Sequence, residues 1–419
     1  MKKILSLLIV AQLGFISFGQ KSSLTLDSCV AWAKKQYPLL KQNNLISANS
    51  EVNKKGINEN WLPQLSFMAK GNYQSEVVVF PGMNISFPHD TYLASLSLNQ
   101  NLYDGGQTKQ QKVIENIAAN LDLQKNEVEL YRLIDQVNQL YVTILLSREN
   151  LNVLNIYKNN IDNRLKNLKA AQENGLALQS SLDELEAESL KTEQNIIEAK
   201  DNLSAIYSTL SIFIGQPVTD ASELAPVPLG GKTAATEVVR PELKMLDLQK
   251  ELLDNRFKQT NNFALPKVSL YADANYGRPG PNFLNQNLRG FANAGVMVKW
   301  NVSSLYGLSR EKNRLSINQQ MLDVQREVFL FNLNNALTTQ TAQIKSIKEI
   351  IEKDKQIVEK RHNVTTTASS QLENGKITVT DYLTQLNAEL QAALNQKIHE
   401  IRLMNAMTNY NTTKGITNF

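Results

Sequence analysis

The chain repeats itself. Pro38 and Pro63 are matched by Pro241 and Pro266, Leu62-Pro63-Gln64-Leu65-Ser66-Phe67 by Leu265-Pro266-Lys267-Val268-Ser269-Leu270, and Tyr73 by Tyr276. After a loop about three residues shorter in the second copy, Asn101 is matched by Asn301, Glu173-Asn174-Gly175 by Glu373-Asn374-Gly375, and Gly215 by Gly415. A near-constant shift across so many separated anchors marks an internal duplication with a period of about 200 residues. That period is too long for a short solenoid repeat. Each copy is one half of a larger body, and a reading of one half must also hold for the other.

The N-terminus carries an export signature: Lys2 and Lys3, an apolar run from Ile4 to Phe18, then Ser17-Phe18-Gly19 with small residues where a signal peptidase reads. Residues 1–20 are therefore expected to be a cleaved secretory signal. The run is shorter than the roughly 20 residues a spanning helix needs, which disfavours a retained anchor. An exported chain with no spanning helix is periplasmic, secreted, or threaded through an outer membrane as β-strands. Cys29 is the single cysteine, so no internal disulfide can form and stability must come from packing. Leu26-Asp27-Ser28-Cys29 is a poor lipid-attachment box, with Asp where a small neutral residue is wanted, so Cys29 is read as a buried thiol on the first helix. The net charge of +4 gives no nucleic-acid footprint. Gly and Pro are sparse and gathered at a few points, so the elements between them must be long and regular.

Each half opens with a helix, from Leu26 to about Trp61 and from Pro241 to about Phe263, closed by a Leu-Pro pair because proline disfavours helix at the residue before it. Pro63 and Pro266 are thus helix–strand joints. The period then changes to two. Leu65, Phe67, Ala69, Gly71 and Tyr73 alternate with polar residues, as do Val268, Leu270, Ala272, Ala274 and Tyr276. A loop with Gly and Pro follows (Pro81-Gly82-Met83-Asn84; Gly277-Arg278-Pro279-Gly280-Pro281), and alternation resumes in Tyr92, Ala94, Leu96, Leu98 and in Ala292, Ala294, Val296, Val298, Trp300. Each half is expected to give one hairpin, with strands at about 64–78 and 91–103 in the first and about 266–277 and 290–302 in the second. One apolar and one polar face suit a barrel wall between lipid and water, and equally a soluble sandwich with one wet face.

Gly105-Gly106, and Ser303-Ser304 to Gly307, release the chain into helices spanning about 104–173 and 304–373, almost free of breakers. Ile134, Val137, Tyr141, Ile144 and Leu151, and Ile344, Ile347, Ile351 and Val358, follow coiled-coil seam spacing. Asn174-Gly175 and Asn374-Gly375 can take the left-handed turn that ends a helix. Return helices follow at about 179–214 and 379–413, carrying Ile196, Ala199, Leu203, Ile206 and Leu210, and Leu383, Leu386, Leu390 and Ala393. The domains are therefore a first repeat at 21–215, a connector at 216–239 rich in Pro, Gly, Thr and Ala, and a second repeat at 240–419. Four strands cannot close a barrel when the smallest membrane barrels use about eight. If the strands lie in lipid, several chains must share one barrel.

The order helix, Leu-Pro, strand, loop, strand, Gly-Gly, long helix, Asn-Gly, return helix, all duplicated behind a signal, resembles the TolC family of outer-membrane efflux channels over essentially the whole mature chain. The resemblance implies a mainly α fold with a small β part, a homotrimer with a 12-stranded barrel in the outer membrane, and a 12-helix periplasmic tunnel. It implies no cofactor. Its implied partners are outer-membrane lipid, a periplasmic adaptor at the helical tips, and through it an inner-membrane pump of RND or ABC type. Family members close the periplasmic end with an acidic ring at the sixth and ninth positions after the second tip glycine. Here these are Asp381, a match, and Thr384, a departure; the basic residue expected two places after the glycine is Ile377. Thr378 or Thr380 could instead cap the helix, with Asp381 favouring its positive end. Gly175, Gly375, Asn174 and Asn374 are expected as turn formers at the tips where the adaptor docks.

Enzymatic readings find no support in the sequence. His89, His362 and His399 are scattered, no His or Cys cluster has metal-ligand spacing, and no Gly-rich loop sits between strand and helix. The rival is a periplasmic coiled-coil scaffold without a pore. It accounts for the helices, but not for β-alternation at the same place in both halves or for aromatics near strand ends such as Tyr73, Tyr92, Tyr276 and Trp300.

Overall fold

The computed structural model describes residues 24–79, 81–82, 87–175, 177–225 and 238–416. The expected signal peptide, half of the connector and part of the first hairpin loop lie outside the described residues.

Helix α1 (Leu26–Gln36) starts at a capping box in which Thr25 and Ser28 satisfy each other's backbone amides, and it buries Leu26, Cys29, Val30 and Ala33. It stops at Tyr37, which takes extended backbone before Pro38. The single helix expected from Leu26 to Trp61 is therefore two helices. Pro38 opens α2 (Leu39–Asn58), as its repeat partner Pro241 opens α5 (Pro241–Phe263). A short 3-10 turn over Glu59–Trp61 then leads into the extended Leu62.

Strand β1 (Gln64–Tyr73) pairs antiparallel with β2 (Asp90–Tyr103), shorter than the strand expected to about residue 78. Strand β3 (Lys267–Arg278) pairs with β4 (Arg289–Lys299), and β2 pairs with β3, so both copies join in one sheet of order β1-β2-β3-β4. Helices α3 (Gln107–Glu173) and α6 (Ser304–Glu373) have 67 and 70 residues, each about 100 Å at 1.5 Å per residue. The return helices are α4 (Gln179–Ile214) and α7 (Val379–Lys414), each ended by a glycine with left-handed backbone. The protein is mostly helical, with long paired helices and two β-hairpins arranged as a duplicated fold.

Contacts divide the chain into two compact units. One holds the described residues up to Tyr37, Leu133–Thr236 and Thr338 onward; the other holds Pro38–Arg132 and Glu237–Leu337. In the first, Ile134, Val137, Tyr141 and Ile144 of α3 are fully buried, on the seam the spacing marks. The Tyr141 hydroxyl donates to the Leu24 carbonyl at 2.8 Å, and burial raises its pKa above the usual phenol value. On α6 and α7, Ile347, Ile351, Leu403 and Ala406 form a core with Ile344 and Met407 packed against it. The sheet belongs to the second unit.

Candidate functional site: a two-faced sheet and the helical tips

Cross-strand register fixes which side chains share a face. Leu65 opposes Leu98, Phe67 opposes Leu96, and Ala69 opposes Ala94; Leu98 then opposes Ala272, Leu270 opposes Val296, and Val268 opposes Val298. These residues make one continuous apolar face. It is exposed: Phe67 to 71%, Val298 to 66%, with Leu65, Tyr73, Tyr276 and Val296 also mostly open. A contiguous apolar surface of this kind marks a binding or membrane surface. The opposite face carries Ser66, Ser97, Asp273 and Asn293 at one level and Ser95 and Asn275 at the next. Asn293 donates to Asp273 at 3.0 Å and Asn275 donates to Asn293 at 3.1 Å, a polar row across β3 and β4. Strands β1 and β4 are the two edges of the sheet, each paired on one side only among the described residues.

Both helix–strand joints are tied by the same device with different chemistry. The Gln100 side chain donates to the Trp61 carbonyl at 2.8 Å, and at the repeat-equivalent position Trp300 donates to the Ala264 carbonyl at 2.9 Å. Asn101 adds a bond to the Asn60 carbonyl at 2.9 Å. Pro63 and Pro266 sit between these tied carbonyls and the first strand residues. At the far end of β2, Gly105 has φ +70°, and a Cβ there would lie 3.0 Å from the Asn262 carbonyl oxygen and from Leu265. The Asp104 carboxylate accepts from the Gly106 and Thr108 amides at 2.9 and 2.7 Å, closing the start of α3. Burial raises its pKa, but these bonds outweigh burial and hold it below the usual carboxylate value.

At the tips, Tyr157, Ile161 and Leu185 of the first copy pack with Ala368, Val379, Tyr382, Leu383 and Leu386 of the second. Gly175 and Gly375 turn the chain with φ +72° and +67°, and a Cβ would meet nothing at either; the demand for glycine is in the backbone alone. Asn174 and Asn374 donate to the carbonyls of Ala170 and Ser370 at 2.7 and 2.8 Å, satisfying last-turn acceptors. Thr378 and Asp381 form a capping box at the start of α7, and Thr378 donates to the carboxylate at 2.7 Å. These bonds from Thr378 hold the Asp381 carboxyl below its usual pKa. Asp381 remains exposed on an open groove beside Gln371, Ile377 and Gln385. Thr384 is exposed, and its hydroxyl donates to the Thr380 carbonyl of its own helix at 2.8 Å. Ile377, where the family pattern expects a basic residue, packs against the tip core.

Sequence reasoning missed Arg164. It is 8% exposed, and its guanidinium donates to Glu373 at 2.9 Å, to the backbone and hydroxyl of Ser369, and stacks 4.9 Å from the Tyr382 ring centroid. One side chain of the first copy thereby joins both helices of the second. The available signal was a charge at helical spacing between Ile161 and Leu168, on the buried stripe of α3. Tyr157 makes a second such link, donating to Asn387 at 2.7 Å.

Two further patterns concern exposed helix faces. On α6 the residues Ile317, Met321, Val324, Val328 and Phe331 recur in steps of three and four and are each more than half exposed. Farther along α6, Ile350, Ile357 and Val364 recur every seventh residue and are also exposed, as are Leu190 and Ile197 on α4. These exposed stripes have the spacing of a coiled-coil seam. Among the described residues there is no cluster of His, Cys, Asp or Glu able to hold a metal ion, and no helix long and apolar enough to cross a membrane.

Comparison with known proteins agrees with this geometry. The sequence profile of the family described as Outer membrane efflux protein matches residues 47–216. The fold is similar to the outer membrane protein VceC of Vibrio cholerae (TM-score 0.67, 12% identity, covering 94% of this chain and 97% of that one). It is also similar to CusC, described as undergoing conformational changes on folding and transmembrane channel formation (TM-score 0.68, 13% identity, 93% and 91%). A third is the CmeC outer membrane channel of Campylobacter jejuni (TM-score 0.65, 15% identity, 93% and 85%). No curated protein matches the sequence. The match in sequence covers residues 47–216, and the likeness in fold to these outer membrane channels covers nearly the whole chain.

Proposed function

We propose that the chain is one protomer of a homotrimeric outer-membrane channel, the exit duct of a tripartite efflux or type I secretion system. It passively conducts small molecules or proteins delivered by an inner-membrane pump of RND or ABC type through a periplasmic adaptor. The observation that carries this reading is the sheet: four meandering strands with one exposed apolar face, one polar face and two open edges. Strand β4 runs antiparallel to β1, so β4 of one chain can continue the meander into β1 of the next. Three chains then give a closed barrel of twelve strands, with the apolar face toward lipid and no edge left in the hydrocarbon. The exposed seams on α4 and α6 supply helix packing between protomers in the periplasmic tunnel.

In this arrangement residues 1–20 are removed on export, 21–215 and 240–419 are the two repeats, and 216–239 connects them. The tips around Gly175 and Gly375 receive the adaptor. Asp381, exposed despite its capping bonds, lines the periplasmic opening with Thr384 beside it. Purified protein in planar bilayers is expected to give stepwise conductance, and Asp381→Ala a larger one. Trimers that insert into the bilayer but never conduct would contradict the proposal.

A further inference from the structure

We infer that the barrel lumen is an anion-selective passage and that Lys267 and Lys299 set the selectivity, so the solutes it suits best are anionic. This rests on the barrel reading, which makes the polar face of the sheet the lumen. On that face the described residues include four basic side chains, Lys70, Lys267, Arg289 and Lys299, and one acidic side chain, Asp273. Asp273 is engaged with Asn293. The only other acid in the four strands, Asp90, lies on the apolar face and is paired with Arg278. No ion pair forms with Lys70, Lys267, Arg289 or Lys299 among the described residues.

Lys267 and Lys299 are direct register partners at the end of the sheet where the helices attach. Like charges placed opposite one another cost stability. Here the arrangement is held by structure: Lys267 donates to Gln107 of α3 at 3.0 Å, and both side chains are exposed. Three protomers with two lysines each would place a ring of ammonium groups at one level of the lumen. A ring of one sign in a pore between low-dielectric walls concentrates the opposite ion and repels its own.

The test is the chloride-to-potassium permeability ratio of trimers in planar bilayers under a KCl gradient. K267E/K299E is expected to lower the ratio by about fivefold or more. K267Q/K299Q, which keeps length and polarity should the acidic pair fail to fold, should lower it by an intermediate amount. Lys35→Glu, exposed on α1, should leave it unchanged. Conducting double variants with a wild-type ratio overturn the lysine assignment and leave the channel standing. Wild-type trimers that insert without conducting overturn the channel reading and this inference with it.

Discussion

Thr378 and Asp381 each satisfy the other's backbone amide, which makes the start of α7 sensitive to single side chains. Thr378→Ala should cost about 1 kcal/mol of local stability, read as faster amide exchange across the first turn of α7. The Asp381 carboxyl titrates below its usual value because of its bonds to Thr378. Its stabilising contribution is therefore present above the ordinary carboxylate range and lost as pH falls through the depressed pKa. Exchange protection at Val379–Tyr382 should drop on acidification in the wild type and lose that dependence in Asp381→Asn. Arg164→Ala should cost about 2 kcal/mol, because it removes charge-assisted bonds and ring stacking together. Arg164→Lys should rescue it poorly, since an ammonium cannot reproduce the fork. The Cys29 thiol, pushed up to about 12 by burial, should resist alkylation until α1 unfolds. At this scale the sequence exposed backbone demands, such as the tip glycines, better than it exposed partners. Arg164 looks like a surface charge until Glu373, Ser369 and Tyr382, more than 200 positions away, are brought beside it.

At the scale of elements, the sheet and the hairpin turns make separate demands. Val→Lys at position 296, on the apolar face, should cost about 2–4 kcal/mol if that face meets the middle of a bilayer. Asn293→Ser on the other face should be nearly neutral; the yield of folded protein in detergent compares the two. Gly175→Val or Gly375→Val forces a β-branched residue into left-handed backbone at about 1–2 kcal/mol, and should loosen the tip and weaken pump coupling, read as lost drug resistance in a complemented strain. The hairpins were legible because period-two alternation recurs at equivalent places in both halves. The break at Tyr37-Pro38 was not expected: a continuous helical composition on both sides obscured it, although Pro38 matches the helix-opening Pro241. The early end of β1 at Tyr73 was not: Val77, Val78 and Val79 have strand propensity, and the loss of cross-strand partners decides where pairing stops.

At the scale of the whole molecule, the chain leaves an apolar sheet face and seam-spaced helix stripes exposed, the surfaces that the proposed trimer would cover. Val328→Glu, in the middle of the exposed α6 stripe, should lower trimer stability without disturbing the core around Ile347 and Ile351. The duplication made the two-hairpin fold legible, and two copies of a two-strand unit fall short of a closed barrel, which is why the proposed channel calls for more than one chain. Which stripes would be left uncovered could not be read in advance, since buried and exposed seams share one spacing. The most direct test is native mass spectrometry of the mature chain extracted with detergent from the outer-membrane fraction. A trimer is expected; a monomer or dimer recovered without detergent would contradict the shared barrel.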